Sequence, residues 1–157
     1  MDAELFRRLI QEELNKAITP VVEELSNIKD RLSNVEDRLS KVEVQGRITT
    51  AKMANAGIGR DQALTVVPLD DGTNPQVEIP STISHLLVAG NEILPNGQHN
   101  NWNKRKSLAL LRAYDPQYET DDESDNEVSQ RSQNRRLRVA KVLGVTNQQL
   151  NFAQMNL

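Results

Sequence analysis

The sequence predicts a mainly α protein: an N-terminal parallel coiled coil, a trimer by preference, followed by a small α+β, mostly helical C-terminal domain. Three observations carry that expectation. Apolar residues recur at alternating spacings of three and four from Leu14 to Val42. Only one Trp, two Tyr and two Phe occur in 157 residues, so the material for a compact core is limited. Beyond Gly57 the seven-residue pattern gives way to short β-prone runs, turn signals and separate helical patterns.

Three blocks repeat: LSNIKDR from Leu25, LSNVEDR from Leu32 and LSKVEVQ from Leu39. With Leu25, Leu32 and Leu39 at heptad position a, Ile28, Val35 and Val42 fall at d, and Val21, Ile18 and Leu14 continue the seam backwards. A 3.5-residue period keeps one line of side chains facing a partner helix. An amphipathic helix packed on its own domain shows a wider and less regular stripe. Glu24, Arg31 and Arg38 occupy g, and Lys29, Glu36 and Glu43 occupy e. A parallel, in-register assembly pairs them across helices as Glu24–Lys29, Arg31–Glu36 and Arg38–Glu43, all attractive, whereas an antiparallel one opposes like charges. Each exposed pair is worth only about 0.3–0.5 kcal/mol, but their common sign selects the orientation. Leu at a with Ile or Val at d favours three or four strands over two. The segments RLSNVE and RLSKVE resemble a short trimer-specifying pattern, which puts a trimer first and a tetramer or dimer second.

Residues 1–19 read as an amphipathic N-terminal helix with Phe6, Leu9, Ile10, Leu14 and Ile18 on one face, and residues 20–57 as the oligomerising segment. Pro20 divides them: Thr19 could cap a new helix there, or one helix could kink. Residues 58–157 form the C-terminal domain. Ala63–Leu69 and Val77–Ile79 are β-prone, joined through the turn signal Asp70-Asp71-Gly72, with Pro68 and Pro80 marking them as edge-like. A short helix is expected to end by Gly90, a turn at Leu94-Pro95-Asn96-Gly97, and a helix from Trp102 to Tyr114 with Leu108, Leu110 and Leu111 inward.

An acidic stretch, residues 115–127, precedes Arg131, Arg135, Arg136 and Arg138. Ser124-Asp125-Asn126-Glu127 reads as a capping box opening a helix to Leu143. Ser124 and Thr120 also suit an acidophilic kinase, a reading that ranks below the cap. The segment 137–155 has the Gly-centred turn of a helix-turn-helix, with Thr146 as a cap and Asn147 and Gln148 placed where base edges could be read. Arg135, Arg136 and Arg138 would supply phosphate contacts, but any two helices joined at a glycine look alike at this level, and the acidic stretch would repel phosphate.

No catalytic set is present. Gly57-Ile58-Gly59 has no preceding strand and Gln62 where a dinucleotide loop needs a small residue. The acids lack calcium-loop spacing, and His85 and His99 lack zinc-site spacing, so no metal or cofactor is expected. There is no cysteine, the net charge is −3, and no apolar run reaches the ~18 residues that span a bilayer. Met1-Asp2-Ala3-Glu4 is not a signal peptide, so an intracellular setting, cytoplasm or nucleus, is expected without membrane attachment.

From Trp102 the text WNKRKSLALLRAYDPQYETDDESDNEVSQRSQNRRLRVAKVLGVTNQQLNFAQ resembles the C-terminal domain of the fungal meiotically-upregulated-gene family. VVPLDDGTNP and the Leu-rich stretch before Trp102 look like that family's upstream part, so the resemblance spans about residues 64–157. It implies a fungal origin and a shared domain, with no catalytic residues to carry over. The function expected is that of a non-enzymatic oligomeric scaffold whose partners are itself and an unknown protein. The alternative is a nucleic-acid-binding regulator using 137–155.

Overall fold

The computed structural model describes residues 3–87, 93–94, 97–118 and 128–155, and for 128–131 and 152–155 the backbone alone. Five helices occur among them: α1 (Ala3–Gly57), α2 (Ile83–Leu87), α3 (Lys104–Tyr114), α4 (Val128–Leu143) and α5 (Asn147–Met155). The chain divides into two compact units, Met1–Val42 and Glu43–Leu157.

Every described residue of the first unit is helical. Pro20 lies inside α1 and does not end it. Thr19 is therefore not a helix cap: its hydroxyl donates to the Asn15 carbonyl, one turn back, at 2.8 Å.

The second unit has its own core. The last turns of α1 contribute Ile48 and Ala51, spaced for one helical face. Against them pack Leu64 and Val67, Ile83 and Leu86 of α2, Trp102, Leu110 and Leu111 of α3, Val139, Ala140 and Leu143 of α4, then Val145 and Leu150. α3 packs on α4, and α2 on both α4 and α5. Leu108 is only half-buried, unlike its neighbours Leu110 and Leu111. α3 begins at Lys104 because Asn103 caps it, its side chain accepting from Lys106 N–H at 3.1 Å.

The β-prone run does not build a sheet. Among the described residues, pairing is confined to two isolated antiparallel bridges, Ala63 with Thr82 and Ile93 with His99. Pro68 and Pro80 lack the N–H that a ladder needs. The run's backbone groups are satisfied partly by helix side chains and partly by neighbouring loop backbone instead. Leu64 N–H donates to the Ser81 carbonyl at 2.9 Å. Thr65 exchanges two hydrogen bonds with the Asn55 side chain, at 2.7 and 2.8 Å. The Val67 carbonyl accepts from the Tyr114 hydroxyl. Burial pushes that phenol up to about 12.

The turn at Asp70-Asp71-Gly72 is present. Gly72 N–H donates to the Leu69 carbonyl at 2.9 Å, and Asp71 accepts from both the backbone and the hydroxyl of Thr73. Gly72 has φ +81°, and a Cβ there would stand 2.8 Å from Val44 Cγ2, so both conformation and space require glycine. Gly97 N–H closes a second turn on the Leu94 carbonyl at 2.8 Å. The capping box Ser124–Glu127, Thr120 and the acids from Glu119 to Glu127 lie outside the described residues.

Candidate assembly face and terminal helix pair

The seam residues of the first unit all stand in the open. Leu14, Ile18, Val21, Leu25, Ile28, Leu32, Val35, Leu39 and Val42 are each between 48 % and 68 % exposed. Leu5, Phe6, Leu9, Ile10 and Val22 of the same helix are similarly open. The flanking Glu24, Lys29, Arg31, Glu36, Arg38 and Glu43 are exposed as well. Isolated surface leucines are ordinary, but a continuous apolar line along a helix is the mark of an interaction surface. Covering the remaining half of nine such side chains is worth on the order of 10 kcal/mol per chain.

α1 changes faces as it enters the second unit. Val44, Ile48, Ala51 and Asn55 turn towards that unit's core. The heptad count carried beyond Val42 falls on Gly46, Thr49 and Met53, all exposed. By helical period these lie on the side of α1 away from Ile48 and Ala51. The C-terminal core therefore leaves that side of its own helix uncovered.

Asn55 is the polar centre of the second unit, with no exposed surface. Its Nδ2 donates to the Thr65 carbonyl at 2.8 Å and the Leu143 carbonyl at 2.7 Å, and its Oδ1 accepts from Thr65 N–H. One side chain thus ties the end of α1 to the 63–69 run and to the C-terminus of α4, where a helix leaves unpaired carbonyls. In sequence Asn55 and Gly57 look like stops for a helix persisting to about Ala54, whereas α1 runs on to Gly57 with Asn55 inside it. Nothing local distinguishes an Asn that ends a helix from one that clamps two distant segments.

The turn between α4 and α5 presses on α1. Gly144 has φ +80°, and a Cβ would lie 2.6 Å from Lys52 Cβ. Thr146 caps α5: its hydroxyl accepts from Gln149 N–H at 3.2 Å, and Gln149 Oε1 accepts from Thr146 N–H at 2.8 Å, a reciprocal capping box. Gln149 Nε2 then donates to the carbonyls of Asn55 and Ile58, both at 3.0 Å.

Of the residues singled out for nucleic acid, Asn147 and Gln148 are exposed. Arg135 is buried. Arg136 is half-buried, and its Nη1 donates to the Leu87 carbonyl at 2.9 Å. The Arg138 guanidinium sits 5.3 Å from the centre of the Tyr118 ring. The three arginines are therefore not assembled into one outward cationic patch. In sequence the spacing of Leu137, Ala140, Leu143, Val145, Leu150 and Phe152 outlines packed helical faces around Gly144, but Leu137 is 42 % exposed. It lines a cavity of about 260 Å³ together with Leu86, Leu87, Arg136, Asn147 and Leu150. The reason is helical phase: Val139, Ala140 and Leu143 take the inner face of α4 and leave Leu137 at its edge. The side chain of Phe152 lies outside the described residues.

His85 meets the Thr82 hydroxyl through Nδ1 at 2.9 Å. Burial, then the nearby Lys106 charge, holds its imidazole below the usual range. Lys106 itself pairs with Glu78. Asp61 is held below the usual carboxylate range, first by the Ser84 hydroxyl at 2.6 Å and then by Arg60. Both arrangements join short segments of one domain. Among the described residues no group of three His, Cys, Asp or Glu is placed to hold a metal ion. No helix among them is long and apolar enough to cross a membrane. Compared with known proteins, the chain matches no family model, no curated protein and no solved structure.

Proposed function

We propose that this chain is a non-enzymatic, intracellular assembly protein. Its α1 helices associate in parallel, three at a time, and display copies of the C-terminal domain to a protein partner. The observation that carries this reading is the unbroken apolar seam from Leu14 to Val42, half open along its length. The e and g charges support a second copy in parallel register as its occupant. The uncovered side of α1 at Gly46, Thr49 and Met53 leaves neighbouring helices room to approach. Three domains on one stalk would gain affinity for a repeated ligand through effective concentration, without new contacts. Arg135 is buried and Arg136 is bonded to the Leu87 carbonyl, so two of the three candidate phosphate contacts are used within the domain, which favours a protein partner over nucleic acid.

Sedimentation equilibrium tests the reading. The full chain is expected at three times its 17.7 kDa mass at micromolar concentration. Leu32→Asp is expected to yield monomers with a C-terminal domain still folded, because three carboxylates cannot be buried together in one seam layer. A monomeric wild-type chain at high micromolar concentration would overturn it.

A further inference from the structure

The heptads stop working before Leu14. Counted backwards, the next two seam positions are Gln11 and Arg7, which would put an amide and a guanidinium against a neighbouring helix. Yet α1 continues unbroken to Ala3, and Phe6 and Ile10 stand open on it. A different count fits: Ala3, Phe6, Ile10, Leu14, Ala17, Val21 and Leu25 are separated by three, four, four, three, four and four. That is two eleven-residue repeats ending on the first residue of the LSNIKDR block. Every position in it is apolar. The two counts share Leu14, Val21 and Leu25 and differ between them only at Ala17 against Ile18.

We propose that residues 3–21 extend the self-association face in an eleven-residue repeat, so that the helices of the assembly stay together past Pro20 to their N-termini. The occupant is a second copy of the same segment, in parallel. The proposal rests on the parallel coiled coil argued above. Helices held in register over residues 25–42 bring their N-terminal halves side by side at millimolar effective concentration, ahead of any free partner. Eleven residues over three turns is 3.67 per turn, slightly above the 3.6 of a straight helix. The supercoil therefore relaxes, and reverses its hand, ahead of the left-handed heptads.

Pro20 is compatible with this path. It sits beside the repeat and not in it, between Ala17 and Val21. The carbonyl it leaves without a donor is that of Lys16, whose side chain is 70 % exposed and paired with Glu13. Water can satisfy a carbonyl on that side of the helix. Leu5 and Leu9 flank the repeat and broaden its apolar edge.

The chain has no cysteine, so single cysteines report seam neighbours directly. In the full chain, Leu32→Cys marks the heptad seam, Ile10→Cys the eleven-residue seam, and Gln11→Cys the position that heptads would choose. After mild oxidation, Leu32→Cys and Ile10→Cys are expected to form intermolecular disulfides several-fold more completely than Gln11→Cys. Linkage at Leu32→Cys with Ile10→Cys no better than Gln11→Cys would overturn this extension and leave the coiled coil standing. No linkage at Leu32→Cys would overturn the coiled coil, and the extension with it.

Discussion

Asn55 concentrates at one residue what holds the second unit together. Its amide is fully buried and makes three hydrogen bonds to backbone groups of two other segments. Replacing it by Leu keeps most of the volume but strands the Thr65 N–H and the Thr65 and Leu143 carbonyls. Each stranded buried group costs about 1–3 kcal/mol, against a total stability of about 5–15 kcal/mol for a domain. Asn55→Leu is therefore expected to unfold the C-terminal domain or lower its urea midpoint severely, read by Trp102 fluorescence. The oligomer mass is expected to persist. A midpoint within error of wild type would show that water or neighbouring donors replace the amide. Asn100 plays a smaller version of the same part, its Nδ2 donating to the His85 carbonyl and its Oδ1 accepting from Trp102 N–H.

At the scale of the element, α1 is one helix serving two surroundings. Residues 25–42 follow the heptad period, and Val44, Ile48, Ala51 and Asn55 form an inward face with ordinary helical spacing. Pro20 is the weak point, since it removes one hydrogen bond and introduces a ring clash, at a cost of up to about 3 kcal/mol in a helix interior. Pro20→Ala is expected to raise the melting temperature of the helical stalk, followed by circular dichroism, without changing the oligomer mass. A fall in stability would mean that a kink at Pro20 is needed for packing. The 63–69 run is the opposite case: an element whose composition favours a strand but whose partners include the helical side chains of Asn55 and Tyr114.

At the scale of the molecule, the segment from Val145 to Met155 closes the second unit. Val145 and Leu150 are buried in its core, and Gln149 bonds the end of α1. Truncation after Gly144 removes both apolar side chains, each worth about 1.5–3 kcal/mol, and the α5 capping box. The truncated chain is expected to show red-shifted Trp102 emission and loss of cooperative melting in residues 58–143, with stalk helicity and oligomer mass retained. Native Trp102 emission after truncation would instead free α5 for a partner. Separate loss of the domain and of the assembly in these variants is what a stalk carrying independent domains requires.

The sequence by itself determined the apolar line along α1 and the mainly helical character of the chain. Helical periodicity is a local property: each seam residue is specified by its neighbours three and four positions away, with no knowledge of the rest of the fold. It also determined the turns at Gly72 and Gly144 and the Thr146 cap, all settled within about four residues. Only the tertiary structure decided where the backbone of the β-prone run finds its partners, why Leu137 sits at an edge, and how Arg135 and Arg136 are used. Those outcomes depend on segments far apart in the chain, such as Asn55 and Leu143, 88 residues distant. A side-chain amide reads the same in sequence whether it faces water or clamps two helices; which it does is settled by what the rest of the chain brings to it.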